Sequence, residues 1–385
     1  MLTTVESSMI SVLERCFELA YADMPEEGQE EDQLGVIGYF PVYFPEEIVH
    51  AAGLRPHALL GGGSTTEVRL ADARIGSFVC SICHSTTELG LNGTLRPMMG
   101  FFAQPICDAA KHMVGIWGRN FPQQPSQLLA LPQNANSAAA VRYVYDEYQR
   151  LCSVVAEWTG REITDEAVRA SIHIYNENRR LQRELTSMKR DEPARVSTAE
   201  AYLLIRAGAR LRKEQHTALL REALDTLRER PVRPRDKPRV VFLGGFCEQP
   251  PLGMIEVIED TCFIVADDLL LGQRWITEDV PEEGDPIWAL AESYIERSAS
   301  SPVQYDARKP KEGMLMHMLQ EARAEAVILA AAKFCEPGLD DQLALSRHLD
   351  AQKIPCLVLE FEEKMTSFEQ MAMQVETFAE SLLFR

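Results

Sequence analysis

Nine cysteines lie along this chain of 385 residues, and the surroundings of two of them point to chemistry. Cys107 ends an apolar run at 98–106 and begins a helix-like segment. Cys335 repeats this arrangement, because it follows the apolar run 326–334 and precedes a predicted Cys-Glu-Pro-Gly turn and a helix at 340–350. Both thiols are therefore predicted at the carboxyl ends of strands, which face the ligand crevice in open α/β sheets.

Cys80 and Cys83 form a C-x-x-C pair, a spacing that several kinds of site use. A zinc ribbon or finger would need a second pair or a His-x-x-x-His, and the sequence has neither. The strand pattern around a thioredoxin motif is missing, and a hydrolase with His84 as its base would need a G-x-S-x-G elbow, which is also missing. Soft thiolates without a zinc pattern leave an iron–sulfur cluster as the sharper candidate for a metal site, but the spacing alone does not favour it over ordinary buried cysteines.

Other cysteines have positions that are typical of packing. Cys16 and Cys152 lie in amphipathic helix patterns, and Cys262 and Cys356 lie in strand patterns. We predict that all four are core residues, because cysteine is among the most buried residue types. Cys247 differs from them, since it follows a predicted strand and a Gly-Gly pair and so lies at another carboxyl end.

Composition and charge exclude some classes of partner. The formal charge of −19 arises from 58 acidic and 39 basic side chains, and it disfavours nonspecific binding to nucleic acid or to an anionic membrane. A local group of Arg or Lys would still be enough for an anionic ligand such as a coenzyme A ester. The amino terminus lacks the apolar core of a signal peptide, and no run approaches a membrane span. We therefore expect a cytoplasmic protein with reduced thiols and no disulfide framework.

Strand and helix patterns alternate in two stretches of the chain, which predicts an α/β fold with two Rossmann-like, parallel-sheet lobes. Between them, Gly and strand signals nearly vanish and Arg, Glu, Leu and Ala recur at helical spacing, which predicts a helical connector. Its interleaved Glu favours a solvated surface or a contact between subunits over a nucleic-acid face. The predicted segments are an N-terminal helical segment at 1–33, a first lobe at 34–137, the connector at 138–232 and a second lobe at 233–385.

Three consecutive glycines, 61–63, follow the second predicted strand, which we expect to end at Leu60. Such a run can cradle phosphate at the start of a helix. Because it has neither the Lys of a P-loop nor the spacing of a dinucleotide fingerprint, we favour a plain tight turn.

Several segments of the chain resemble the 2-hydroxyacyl-CoA dehydratase and benzoyl-CoA reductase family. These segments are CSICHSTTELGLNG, PICDAAKHMVGIW, FLGGFCEQPP, IEDTCFIVADDLLLGQR, AVILAAAKFCEP and VETFAESL. The run STTELGLNG, preceded by GYFPVYFPEEIVHAAGL, is most similar to the C subunits of ATP-dependent, class I benzoyl-CoA reductases. The resemblance extends from Gly35 to the end of the chain and is weakest in the helical connector. The segments are specific only in combination.

The resemblance implies a 4Fe-4S cluster in the interlobe crevice, bound by Cys80, Cys107 and Cys335. Its fourth iron would be left for another ligand, and an open coordination position is also what separates catalytic from structural metal sites. The family usually has Arg where this chain has His84, and it has no cysteine at the position of Cys83. Cys83 is therefore an alternative or additional ligand, and His84 has either a structural role or a role in hydrogen bonding or proton donation.

The function implied by the resemblance is that of a substrate-binding subunit in an anaerobic, hetero-oligomeric benzoyl-CoA reductase. Such an oxidoreductase takes electrons from ferredoxin through separate ATP-hydrolysing iron–sulfur subunits and reduces the aromatic ring to a cyclohexadiene thioester. This sequence has no nucleotide-binding motif, which fits a division of labour with a homologous substrate-binding subunit and those partners. Two alternatives are a 2-hydroxyacyl-CoA dehydratase subunit, which is a lyase, and a non-catalytic scaffold or electron-relay subunit.

Overall fold

The computed structural model of the chain describes residues 4–21, 35–63, 66–232, 235–270 and 278–384. In these ranges the chain forms thirteen α-helices and eight β-strands. The strands build two four-stranded sheets, and each strand is parallel to its neighbours. The predicted α/β class with two parallel sheets is confirmed.

The chain begins with a helix and then enters the first sheet. The elements of this part are α1 (Thr4–Tyr21), β1 (Val36–Tyr39), α2 (Glu46–Ala51), β2 (Arg55–Ala58), α3 (Ser81–Leu91), β3 (Gly100–Ala103), α4 (Asp108–Asn120) and β4 (Ser126–Leu128). The strand order is β2-β1-β3-β4. Tyr39 of β1 pairs with Ala58 on one side and with Phe102 on the other. A crevice therefore opens at the carboxyl ends of β1 and β3, where the strand order reverses.

Four helices follow the first sheet: α5 (Ala140–Thr159), α6 (Asp165–Asp191), α7 (Thr198–Ala207) and α8 (Lys213–Glu229). Their starts follow from the sequence. Thr164 caps α6 by accepting a hydrogen bond from the backbone N–H of Ala167, and Ser197 forms a capping box with Glu200 at the start of α7. With 27 residues, α6 is about 40 Å long, so it can reach the surroundings of both sheets.

The second sheet has the order β6-β5-β7-β8, the same order as the first. Its elements are β5 (Arg239–Leu243), α9 (Leu252–Thr261), β6 (Phe263–Asp267), α10 (Pro286–Glu296), α11 (Lys311–Glu321), β7 (Ala326–Ala332), α12 (Glu336–Gln352), β8 (Cys356–Phe361) and α13 (Glu369–Leu383). All seven residues of β7 are buried, as expected for a central parallel strand. No helix within the described ranges is long and apolar enough to cross a membrane.

Three details differ from the predictions. The Cys-Glu-Pro-Gly segment is not a turn before a helix at 340, because α12 already begins at Glu336 with Pro337 in its first turn, where proline is tolerated. The second strand ends at Ala58 rather than at Leu60. Helix α3 was not predicted, because eight of its eleven residues are buried and it has no simple amphipathic period.

Candidate functional site

The cysteines at 80, 107 and 335 each occupy the N-cap of a helix. Cys80 precedes α3, Cys107 precedes α4 and Cys335 precedes α12. All three line one cavity of about 340 Å³. The structure thus brings together the three predicted site residues, two of them from the first sheet's helices and one from the second's.

A helix N-terminus suits a thiolate, because the partial positive charge of the exposed N–H groups stabilises negative charge. Cys107 uses this directly, since its Sγ accepts a hydrogen bond of 3.4 Å from the backbone N–H of Ala110. At Cys335, a Cβ on Gly338 would lie 3.2 Å from Sγ, so the glycine leaves room for the thiol over the first turn of α12.

Cys80 and Cys83 are not equivalent, although their sulfurs lie 3.6 Å apart. Cys80 is 8% exposed and Cys83 only 1%. The hydrogen bond from Cys83 lowers the pKa of Cys80, while the same bond together with burial raises the pKa of Cys83 well above its usual value. Of the two, Cys80 is therefore the better placed to act as a thiolate ligand.

The cavity presents cysteine sulfur, the soft ligand that iron–sulfur clusters use. Within the described ranges, no three His, Cys, Asp or Glu side chains are grouped so that they could hold one metal ion. In a 4Fe-4S cluster each cysteine binds a different iron, so three thiols around one cavity are compatible with the cluster that the family resemblance implies. Burial raises the pKa of Cys107, and it raises that of Cys335 to about 12. Ligand binding at these two thiols would therefore release protons.

Cys247 also lines the cavity and is buried. Its thiol donates a long hydrogen bond of 3.7 Å to the carbonyl of Pro41, which follows β1 in the first sheet. The turn before it depends on Gly244, whose φ of +133° lies in a region that favours glycine and whose Cα approaches the backbone of Ala330 too closely for a side chain. The prediction of Cys247 at a crevice edge agrees with this position.

Four phenylalanines line the cavity, beside polar residues that include Arg74, Asp108 and His112. Phe40 and Phe246 are buried at the cavity, whereas Phe78 is 76% exposed and Phe334 is 43% exposed at its edge. Phe334 has a left-handed φ of +64°, which is uncommon outside glycine and directs the chain into Cys335 and α12. The cavity therefore combines thiols with an apolar, aromatic lining.

Two buried glutamates lie behind Cys80, and neither was predicted from the sequence. Glu248, which lines the cavity, accepts hydrogen bonds from the backbone N–H groups of Ile82 (3.2 Å) and Glu363 (2.7 Å). Glu363 accepts hydrogen bonds from the Ser85 hydroxyl (2.7 Å) and from the backbone N–H of Gly63. Burial raises the pKa of both carboxyls, and the charges of Glu363 and Cys80 raise that of Glu248 further.

His84 lies behind the site and is outside the cavity lining. Its Nδ1 is 2.9 Å from Asp72 Oδ1, and its Nε2 is 3.2 Å from the carbonyl of Gly76. Nearby, one carboxylate oxygen of Glu88 accepts three backbone N–H bonds, from residues 69 to 71. The side chains of His84 and Glu88, both on α3, therefore hold the loop that leads to Phe78. This favours the structural role considered for His84.

The four cysteines predicted as core residues are absent from the cavity lining. Cys16 and Cys262 are fully buried, which confirms their packing role. Cys152 and Cys356 are partly buried, and burial raises the pKa of each to about 12. The two missed glutamates lie just after predicted strand ends, but no local pattern in the sequence marks their contacts with α3.

Comparison with known proteins agrees with this geometry. A family model described as 2-hydroxyglutaryl-CoA dehydratase, D-component, matches residues 41–382, and the chain belongs to this family. It is 36% identical to the C subunit of benzoyl-CoA reductase from Thauera aromatica over 90% of both chains. It is 30% identical to the (R)-2-hydroxyglutaryl-CoA dehydratase beta subunit of Acidaminococcus fermentans and 29% identical to the lactoyl-CoA dehydratase beta subunit of Anaerotignum propionicum, in each case over 90% of this chain and 92% of the relative. The resemblance noted in the sequence is confirmed.

Proposed function

We propose that this chain is the substrate- and cluster-binding subunit of an ATP-dependent, ferredoxin-linked benzoyl-CoA reductase, in which Cys80, Cys107 and Cys335 hold a 4Fe-4S cluster. The observation that carries the proposal is one cavity lined by these three cysteines, each at the N-cap position of a helix, and by phenylalanines. A cluster bound there would supply one-electron chemistry at low potential. The same proposal divides the chain into an N-terminal segment at 1–33, a first lobe at 34–137, a helical connector at 138–232 and a second lobe at 233–385.

The chain's own residues would bind and orient the substrate. Phe78 and Phe334 offer ring faces and edges at the cavity's edge, and aromatic rings prefer offset or edge-to-face contact with one another. The buried Phe40 and Phe246 would exclude water from the thiols behind that edge. This lining favours an aryl-CoA substrate over a short aliphatic one and supports reduction of an aromatic ring to a cyclohexadiene-carboxyl-CoA.

Partner subunits belong to the same proposal. The relatives named above are subunits, which supports a hetero-oligomer here. We assign a homologous substrate-binding subunit, ATP-hydrolysing iron–sulfur subunits and ferredoxin as partners. Phe78 and Phe334, both exposed beside the cavity in this chain, would be covered when substrate and the homologous subunit are bound.

A dehydratase subunit is the second candidate, because the family description and two of the relatives carry that name. Turnover by the anaerobically purified complex separates the two. We expect the complex to reduce benzoyl-CoA with reduced ferredoxin and ATP and to leave lactoyl-CoA unchanged. Dehydration of lactoyl-CoA without reduction of benzoyl-CoA would replace the reductase by the lyase, and turnover of neither would favour a scaffold or electron-relay subunit.

The aromatic lining gives a sharper test within the chain. We expect Phe334→Ala to raise the KM for benzoyl-CoA about tenfold, because one aromatic contact contributes roughly 0.5–1.5 kcal/mol beyond the apolar area it buries. Phe334→Leu keeps apolar area and should retain part of the affinity. The exposed Tyr305, which lies outside the cavity lining, provides the control Tyr305→Ala, whose KM should not change.

A further inference from the structure

Glu248 and Glu363, with the segment 61–63, connect the second sheet to the helix that Cys80 begins. We propose that this carboxylate clasp is a positioning device, which holds the N-terminus of α3, and with it Cys80, against the half of the cavity that carries Cys335. The functional importance of the clasp rests on the proposed role of Cys80 as a cluster ligand. The contacts that form the clasp do not depend on that role.

The first connection is a helix cap supplied from a distant segment. Cys80 occupies the N-cap of α3 but makes no capping hydrogen bond with its side chain. Glu248, 166 residues away, accepts the backbone N–H of Ile82 at the second position of the helix instead. A carboxylate at this place is favourable, because it satisfies an N–H group that the helix leaves unpaired and it complements the helix dipole.

At Cys107 one thiol both caps its helix and lines the cavity, whereas at the start of α3 these two roles belong to different residues. The Cys107 thiol caps its own helix through Ala110, whereas the Cys80 thiol is relieved of capping by Glu248. The other oxygen of Glu248 accepts the backbone N–H of Glu363. Glu248 thus ties the start of α3 to the segment that follows β8 in the second sheet.

The second connection involves the first and third of the consecutive glycines. Glu363 reaches across to the first sheet, where it accepts the hydroxyl of Ser85 on α3 and the backbone N–H of Gly63. Gly61 has a left-handed φ of +75°, and a Cβ there would lie only 2.6 Å from Ser85 Oγ and 2.8 Å from Glu363 Oε2. The segment therefore surrounds a carboxyl group of the chain itself, whereas a phosphate loop would surround a bound phosphate.

The clasp makes opposite predictions for two isosteric substitutions. Both oxygens of Glu248 accept backbone N–H groups, so in Glu248→Gln the amide NH2 must face a donor in either orientation. In Glu363→Gln the amide oxygen can accept from Gly63, while the NH2 donates to Ser85, whose hydroxyl can turn to the Ile82 carbonyl 3.4 Å away. Glu363→Gln should therefore be tolerated and Glu248→Gln should not.

A matched pair of glycine substitutions tests the contact of Gly61 with Glu363 and Ser85. Gly61→Ala combines a left-handed φ with a clash, whereas Gly93→Ala has a comparable φ of +85° and no atom within 4 Å. Both variants carry the same backbone strain, which destabilises each by about 1 kcal/mol. A difference between them therefore reports the clash with Glu363 and Ser85.

The experiment measures alkylation of Cys80 by iodoacetamide in the full-length, iron-free chain, with Cys107 in the same sample as the internal reference. Alkylation of a buried thiol follows local opening. We expect Glu248→Gln and Gly61→Ala to raise the Cys80 rate at least about tenfold with Cys107 unchanged, the scale of one lost hydrogen bond to a charged group. Glu363→Gln and Gly93→Ala should stay within about twofold of the wild-type chain.

A second measurement links the clasp to the cluster. After anaerobic reconstitution, the first two variants should bind iron at least about tenfold more weakly than the wild-type chain, as expected when a supporting contact of a ligand is lost. If the wild-type chain binds no iron, the proposed function fails and the alkylation result still decides the clasp. Equal alkylation of Cys80 in all variants would overturn the clasp, and so would a parallel rise at Cys107, since that would indicate general unfolding.

Discussion

The two sheets have the same strand order, yet they contribute different chemistry to the cavity. Cys107 follows β3 and Cys335 follows β7, which are equivalent strands of the two sheets. The first half adds Cys80 and Cys83, and the second half adds Cys247 and the two carboxyl groups of the clasp. Neither half therefore forms the cavity alone, and the carboxyl groups that hold α3 come from the second half.

The equivalent cysteines also differ in their surroundings. Cys107 is partly exposed, and its thiol accepts a backbone hydrogen bond. Cys335 is buried behind a strand of seven buried residues, and burial raises its pKa to about 12. Burial raises the pKa of both thiols, but at Cys107 the backbone hydrogen bond from Ala110 opposes part of that rise.

The largest expected effect is the loss of the cluster when either equivalent cysteine is removed. We expect Cys335→Ala and Cys107→Ala each to abolish the iron–sulfur absorption and to leave little iron per chain, because each removes one of three metal–sulfur bonds. Cys152→Ala, a partly buried cysteine outside the cavity, should keep the wild-type iron content. Full iron occupancy in Cys335→Ala would show that the second half supplies no ligand. It would contradict the equivalence of Cys107 and Cys335.

A smaller effect should separate the two thiols of the C-x-x-C pair. Cys80→Ala should lose the cluster, whereas Cys83→Ala should keep it and lower the rate only moderately, because Cys83 is the more deeply buried and has the raised pKa. Iron analysis together with electron paramagnetic resonance of the reduced protein measures both. The reverse pattern would assign the ligand to Cys83 and remove the reason for a distant cap on α3.

The smallest effect concerns His84. His84→Gln keeps hydrogen-bonding capacity toward Asp72 and Gly76, so we expect unchanged iron content and a rate loss of less than about tenfold. Its thermal unfolding temperature should fall slightly, as for a loop that has lost part of its anchor. A rate loss of roughly a thousandfold with an intact cluster would instead identify a general acid and give the first half a catalytic group.

The sequence predicted those parts of the site that follow from local patterns. An apolar run, a cysteine and a helix pattern placed Cys107 and Cys335 correctly at strand ends, because a buried parallel strand leaves a continuous apolar run in the sequence and the helix after it leaves a helical period. The placement of Cys80 came from family resemblance, since its helix is buried on several faces and carries Ser, Thr and Glu among its buried residues.

What the sequence could not predict is tertiary. Glu248 and Glu363 are 115 residues apart, and both bind α3, a helix that lies even further away in the chain. No periodic pattern in the local sequence indicates contacts of this kind. The sequence favoured a tight turn at the three glycines, and it did not indicate that the backbone N–H of Gly63 donates to Glu363, which follows β8.

Helix α6 does not line the cavity, but it affects how easily the cavity walls can move. Its Arg179 pairs with Glu47 near the first sheet, and its Lys189 pairs with Asp267 at the end of β6 in the second. A single straight element is therefore fastened to both sheets by buried ions about 15 Å apart along its axis. Two ion pairs on one helix resist movement of the two sheets relative to each other, so the cavity walls would need little rearrangement to accept the charge of the proposed cluster.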